Sequence, residues 1–232
     1  MSKEDTKINL NVEEMNNAGL NFGHTVSKLH PKMKPYVVGI KNNVHMIDLE
    51  KTVIELQIAL NFIAKNIIDG KVLAFVGTKI QVREIVKNAA QNCGMPYIIE
   101  RWLGGTFTNF ETISKRVDYF KELENKKTTG ELDKYTKKER LLFDKELESL
   151  KLKFEGIRNM KKLPEVVLVM DVKKDITCVR EAKRKGIKVI GVVDTNIDPT
   201  LVDYPIPAND DAISSIKYIL DKVQEVILNS KA

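Results

Sequence analysis

At 232 residues and 43% hydrophobic composition, the chain has material for a real core in one domain or two. Its longest apolar runs, such as Val166 to Met170, fall far short of the roughly 20 residues of a membrane span, and Cys93 and Cys178 lack the spacing of a disulfide framework or a zinc ribbon. The net charge of +6 is modest and the polar start MSKEDTKINL reads as neither signal nor transit peptide, so a cytosolic protein with no membrane contact and two inert, half-buried thiols is expected.

In chain order, the first regular elements are short strands over 36–40 and 45–49 around the turn Lys41-Asn42-Asn43, then a long amphipathic helix over 50–68. A buried strand follows at 71–76, and the spacing of Ile80, Val82, Ile85, Val86, Ala89 and Ala90 predicts a helix over 78–93. The apolar run Tyr97-Ile98-Ile99 leads into RWLGGTFTNF at 101–110, which holds the single tryptophan. From 109 to 154 the rhythm breaks into two helices, 110–126 and 136–154, joined by Thr128-Thr129-Gly130. The second carries a narrow apolar stripe of Leu141, Leu142, Leu147, Leu150 and Phe154 among dense charge, as a two-helix seam requires. A strand at 166–170, a helix over 175–185 closed by Gly186, a strand at 187–193 and a terminal helix over 209–228 complete the chain. Strand alternating with helix predicts an α/β fold, a parallel sheet with helices on both faces, here with an inserted antiparallel helical hairpin.

Charge is sorted along the chain. Residues 115–162 hold fifteen Lys/Arg against ten Asp/Glu; 15–47 holds no acid but Lys28, Lys32, Lys34, Lys41 and all three histidines; 189–216 holds five aspartates and no Lys or Arg. Such sorting predicts one face for a polyanion and another turned elsewhere.

Four stretches have candidate chemistry. Phe75-Val76-Gly77-Thr78-Lys79 is a strand-to-helix junction that suits either phosphate or a Thr78 N-cap, and it lacks both glycine-rich nucleotide motifs. Asp194, Asp198, Asp203, Asp210 and Asp211 gather where an α/β enzyme would hold Mg²⁺, which leaves a metal-dependent phosphotransfer enzyme on Asp194 and Asp198 as an alternative. Against it, capping accounts for Asp210 and Asp211, and no partner lysine or phosphate loop is evident. A structural divalent ion would draw on His24, Asp194, Asp198 and Asp210. The segment from Phe22 to Tyr36, with His24, Lys28, His30, Lys32 and Lys34 on a proline-stiffened path and Lys41 beyond, has the lysine and ring content of an RNA surface. RWLGGTFTNF itself can be a phosphate cradle, a stacking contact or a turn with a packed aromatic.

Taken together, several motifs resemble the bacterial ribosomal protein S2 family. They are Phe22-Gly23-His24, Pro31-Lys-Met-Lys-Pro-Tyr36, His45-Met-Ile-Asp-Leu-Glu-Lys-Thr52, Val76-Gly-Thr-Lys79, Arg101-Trp-Leu-Gly-Gly-Thr106 with Thr108-Asn109, Val193-Asp-Thr-Asn196 with Asp198-Pro199, and Asp203-Tyr-Pro-Ile-Pro207 with Asn209-Asp-Asp-Ala212. The resemblance implies a flavodoxin-like or Rossmann-like domain, residues 1–108 with 155–232, and an inserted coiled-coil hairpin at 109–154. It implies no catalysis, no cofactor and no small-molecule substrate. It implies contact with small-subunit rRNA at the head–body junction, neighbouring small-subunit proteins as partners, and help in docking ribosomal protein S1.

The chain departs from the family pattern at Leu29-His30, in place of a tryptophan-asparagine pair, at Asn43-Val44, and at Lys161-Lys162, in place of two glycines. On this reading the rRNA contacts are His24, Lys28, His30, Lys32, Lys34, Lys41, Arg101, Lys115, Arg116, Lys137, Lys138, Lys161 and Lys162. Trp102, Gly104, Gly105, Thr108 and Asn109 then form an architectural joint into the hairpin, with Thr108 or Asn109 capping its first helix.

Overall fold

The runs at 73–76, 166–169 and 188–193 have apolar residues on both faces, which suits strands covered on both sides. The computed structural model describes residues 9–231, and the polar start 1–8 lies outside them. A short helix α1 (Val12–Asn17) leads to strands β1 (Phe22–Thr25), β2 (Val37–Lys41) and β3 (Val44–Ile47), then helix α2 (Leu49–Ile68). Strand β4 (Leu73–Val76), helix α3 (Arg83–Asn92) and strand β5 (Tyr97–Ile98) come next. Helices α4 (Phe110–Thr128) and α5 (Lys137–Phe154) pack on each other, and β6 (Val166–Val169), α6 (Ile176–Arg184), β7 (Lys188–Val193), β8 (Tyr204–Pro207) and α7 (Ile213–Lys231) finish the chain.

Five strands form one parallel sheet in the order β5-β4-β6-β7-β8. Read as first to fifth strand of that sheet, this is the 2-1-3-4-5 order of flavodoxin-like folds, with the switch point between β4 and β6. Alternate residues feed two cores. Leu73, Phe75, Leu168, Ile190 and Val192 meet α2, α3 and α7 on one face; Ala74, Val76, Val167, Val169 and Val189 meet α6 and the base of the α4–α5 pair on the other. The second core holds Trp102, Phe107, Val117, Phe120, Leu150 and Phe154, so the helical pair grows out of the sheet's own packing.

The second sheet, β1-β3-β2, is antiparallel. Its β2–β3 hairpin closes through Asn42 (φ 50) and Asn43 (φ 64), the two left-handed residues that a two-residue type I′ turn needs. This ribbon lies across the carboxyl edge of the parallel sheet: His24 N–H of β1 donates to Thr195 Oγ1 (2.9 Å) and His30 N–H, between β1 and β2, to the Thr195 carbonyl (2.8 Å), while Thr52 Oγ1–H of α2 donates to the Pro207 carbonyl (2.6 Å). Gly23 permits the approach. A Cβ there would stand 2.5 Å from the Thr195 methyl.

Several sequence expectations need correction. The helix expected over 78–93 begins only at Arg83, and Thr78 caps nothing; its hydroxyl donates to Asp175 (2.8 Å). Asn109 sits at the N-cap of α4 without capping it, since its carboxamide oxygen accepts from Thr112 Oγ1–H (3.0 Å). The terminal helix starts at Ile213, with the N–H groups of Asp211 and Ala212 held by Asn209 Oδ1, so Asp210 and Asp211 are not its caps. Strands β1 and β8 and helix α1 fall where no regular element was expected. The two cysteines are fully buried, not half-buried.

Candidate functional site

The carboxyl ends of β4, β6, β7 and β8 converge on one polar cluster. From β4 comes Lys79, from β6 Asp171, from β7 Asp194, and from the loop after β8 Asp210 and Asp211. Lys79 Nζ reaches Asp171 Oδ2 (3.0 Å), Asp210 Oδ1 (3.0 Å) and Asp211 Oδ1 (2.8 Å) and donates to the Asp210 carbonyl (2.9 Å). Burial pulls the Lys79 pKa down, but the three carboxylates outweigh it and the ammonium is held above its usual range. The partner lysine absent from the sequence reading is therefore Lys79, 115 positions upstream of the first aspartate in that block.

The antiparallel ribbon adds His24. Its Nδ1 lies 2.9 Å from Asp194 Oδ2 and its Nε2 3.7 Å from Asp211 Oδ2. The hydrogen bond to Asp194 raises the imidazole pKa against the effect of burial. Burial, with Asp171 and Asp194 alongside, pushes the Asp210 carboxyl up to about 7. Of the four metal candidates, the fold brings His24, Asp194 and Asp210 together. Asp198 is drawn away to Lys32 Nζ (2.7 Å) and Thr200 N–H (2.9 Å), and Lys32 holds its carboxyl well below the usual range.

Next to this cluster, burial pushes the Asp175 carboxyl up to about 6, in spite of hydrogen bonds from Thr78. A raised carboxyl pKa destabilises the fold above about 6, and that penalty is relieved as pH falls toward the unfolded value. Wild type should therefore gain roughly 1 kcal/mol on Asp175→Asn between pH 7 and pH 5, measured by urea melts, because one pH unit of differential protonation is worth about that much. A constant difference would show that Asp175 is ionised in the fold throughout.

These pairings correct the expected separation of charge. The acid-free segment and the aspartate block do not occupy opposite faces; the first is laid over the second, with His24 on Asp194 and Lys32 on Asp198. His24, at 18% side-chain exposure, faces inward, and His30 Nδ1 accepts from Lys32 N–H (3.3 Å).

The other cations called for RNA are exposed. Among the described residues Lys28, Lys34, Lys41, Arg101, Arg116, Lys137, Lys138 and Lys161 form no ion pair, whereas Lys115 meets Glu111 (2.7 Å) and Lys162 meets Glu165 (2.7 Å) at the surface. Such exposed pairs hold a lysine only weakly. Leu29, Met33 and Tyr36 pack into the core that seats the base of α4 and α5, so the lysine-bearing segment and the helical pair share one support.

The joint is built around a residue the sequence reading missed. Glu181 of α6 is buried and accepts from the indole N–H of Trp102 (3.1 Å), from the N–H groups of Gly105 (2.8 Å), Phe107 (2.9 Å) and Thr108 (3.1 Å), and from Thr108 Oγ1–H (3.1 Å). Trp102 stacks edge-on against Phe107, centroids 4.8 Å apart, and Gly105 takes φ 94. Gly104 is exposed just before it. Only the short apolar interruptions around Glu181, at Val179 and Ala182, hinted that this acid points inward.

Fold and site define a parallel-sheet α/β protein whose carboxyl edge is closed by its own ribbon, lysine and histidine, and which carries a charge-rich pair of packed helices. A sequence model described as ribosomal protein S2 matches residues 15–230. The chain is 43% identical over 220 residues to the small ribosomal subunit protein uS2 of Dictyoglomus thermophilum, covering 95% of this chain and 89% of that one. The uS2 proteins of Chlorobium phaeobacteroides (44%, 95% and 87% covered) and Geotalea uraniireducens (43%, 95% and 86%) are similar to the same extent. The chain belongs to the ribosomal protein S2 family, whose members are structural and not enzymes. The phosphotransfer alternative on Asp194 and Asp198 falls with that assignment, and both carboxylates are engaged, with His24 and Lys32.

Proposed function

We propose that the chain is a structural constituent of the small ribosomal subunit that binds small-subunit rRNA at the head–body junction and helps to dock ribosomal protein S1. Residues 109–154 act as an inserted arm on a domain made of 1–108 and 155–232. The observation that carries the RNA reading is the set of exposed cations without ion-pair partners on two surfaces seated in one core: Lys28, Lys34 and Lys41 beside the ribbon, and Arg116, Lys137 and Lys138 on the arm. Phosphate contacts of this kind position a protein on RNA without reading bases. Protein neighbours are served by β2, an edge strand with Val38 and Ile40 exposed.

Two measurements test this reading. In a sucrose gradient of a cell extract the chain should sediment stoichiometrically with the small subunit; a position only at the top of the gradient overturns the assignment. In binding to small-subunit rRNA, replacing Lys137 and Lys138 together by alanine should lower the slope of log K against log salt by about 1.5, close to 0.7–0.9 for each lost phosphate contact. An unchanged slope removes the arm from the RNA surface.

A further inference from the structure

We infer that the cavity at the amino edge of the parallel sheet, between the entries to β4 and β5 and the loop after α5, binds a guanosine 5′-phosphate unit, with Glu155 reading the base and Lys161 and Lys162 holding the phosphate. The cavity measures about 530 Å³, within the range of small-ligand sites. It lies at the opposite end of the strands from the aspartate cluster, and Val72, Met95, Pro96 and Met160 give it apolar walls.

The loop that forms its outer wall is pinned at both ends. At one end Gly156 lies directly against the Tyr97 carbonyl, where a Cβ would come within 2.0 Å of that oxygen. At the other, Val72 N–H donates to Glu165 Oε2 (2.8 Å) and Glu165 N–H to the Val72 carbonyl (3.1 Å). Between them the Arg158 N–H donates to the Glu155 carbonyl (3.3 Å) and the Met160 N–H to the Ile157 carbonyl (3.0 Å), which curls the loop around the space. The cavity is therefore built into the fold, and a ligand has little ordering left to impose.

Two features specify the ligand. Glu155 lines the cavity, and among the described residues its carboxylate accepts no hydrogen bond, although Oε2 is shut off from solvent. An acceptor left in that state is costly, and a ligand that brings donors relieves it. At the rim, Arg158 is committed to Glu124 (2.6 Å), but Lys161 has no ion-pair partner among the described residues and Lys162 has only the exposed Glu165 (2.7 Å). A ligand that suits both features has an anion at one end, adjacent N–H donors at the other and a flat apolar body between. Guanylate has this form: its N1–H and N2 amino group face a carboxylate together, its ring lies on methionine and proline side chains, and its phosphate meets the lysines. Adenine presents an acceptor, N1, where guanine has N1–H, and is rejected. The inference goes beyond the rRNA reading and stands or falls separately from it, since the unit comes as free nucleotide or as an unstacked guanosine of an RNA strand.

The experiment titrates the free, full-length chain calorimetrically with GMP and with AMP. GMP should bind at one equivalent and roughly 10–100-fold tighter than AMP, the discrimination that one paired hydrogen-bonding edge supplies. Glu155→Gln should reverse the preference, because a carboxamide donates to adenine N1 and accepts from the adenine amino group; a Glu155 that only supports the loop would give no gain for AMP. Lys161→Ala with Lys162→Ala, both at exposed positions, should weaken GMP by about 10-fold and leave guanosine binding unchanged. The RNA pentamer UUGUU binding tighter than GMP, with UUAUU weak, assigns the unit to an RNA strand; UUGUU binding no tighter assigns it to the free nucleotide. The inference is overturned if wild-type chain, shown to be folded by circular dichroism, gives no saturable GMP binding at millimolar concentration, if AMP binds equally well, or if Glu155→Gln keeps the preference for GMP. Sedimentation with the small subunit would survive each of these results.

Discussion

Glu181→Ala should destabilise the chain by roughly 3–5 kcal/mol and move the emission of its single tryptophan to the red. The change leaves the indole N–H of Trp102 and the N–H groups of Gly105, Phe107 and Thr108 without their acceptor. An unmet buried donor costs about 1–3 kcal/mol each, and water entering the vacated space keeps the sum below a simple addition. Glu181→Gln retains one carbonyl but turns an amide toward the remaining donors, so it should fall between. Burial pushes the Glu181 pKa up, yet the hydrogen bonds from Gly105, Thr108, Trp102 and Phe107 prevail and hold it below the ordinary glutamate value. A lowered carboxyl pKa contributes stability that is complete above the unfolded value and lost as pH falls through the folded one. Wild type should therefore lose its advantage over Glu181→Gln in acid. A Glu181→Ala variant that unfolds within about 1 kcal/mol of wild type would mean the joint is held by Trp102 and Phe107 packing alone.

Lys79→Met should cost roughly 3–5 kcal/mol at neutral pH. Methionine nearly keeps the length of the side chain but removes the ammonium that pairs with Asp171, Asp210 and Asp211, two of which are buried. The deficit should shrink between pH 8 and pH 5, because without the lysine the carboxylates regain stability by taking up protons, Asp210 first. Denaturant melts at the two pH values measure it. A deficit equal at both would show that the aspartates are not neutralised by Lys79, and the account of the closed carboxyl edge would fail with it.

The positions of strands and long helices were legible because they depend on period and composition within a short window. β6 and β7 stood out as β-branched runs, β4 as a short apolar run, α2 as a long amphipathic stretch, and α4 and α5 as two charge-rich helices, although Leu141 and Leu142 of the expected seam lie exposed and only Leu147, Leu150 and Phe154 pack inward. β8 escaped notice because Tyr204-Pro-Ile-Pro207 carries two prolines, which an edge strand tolerates where an interior one does not. Trp102 and the glycine pair are conspicuous in the sequence, but the acid that accepts their hydrogen bonds is not, since Glu181 looks like any surface glutamate on a helix.

The charge blocks show the same division. Sequence by itself determined that 15–47 lacks acids, that 189–216 lacks bases and that a basic surplus falls in 115–162. Only the tertiary structure decided that the first two blocks lie on each other, through His24 on Asp194 and Lys32 on Asp198, while the cations of the helical pair remain exposed. Local pattern fixes whether a segment is strand or helix because backbone hydrogen bonding and side-chain period act over a few residues. Which charges meet depends instead on the crossing of chain segments some 170 positions apart, set by sheet order and by the missing side chain of Gly23, and no window of sequence contains that distance.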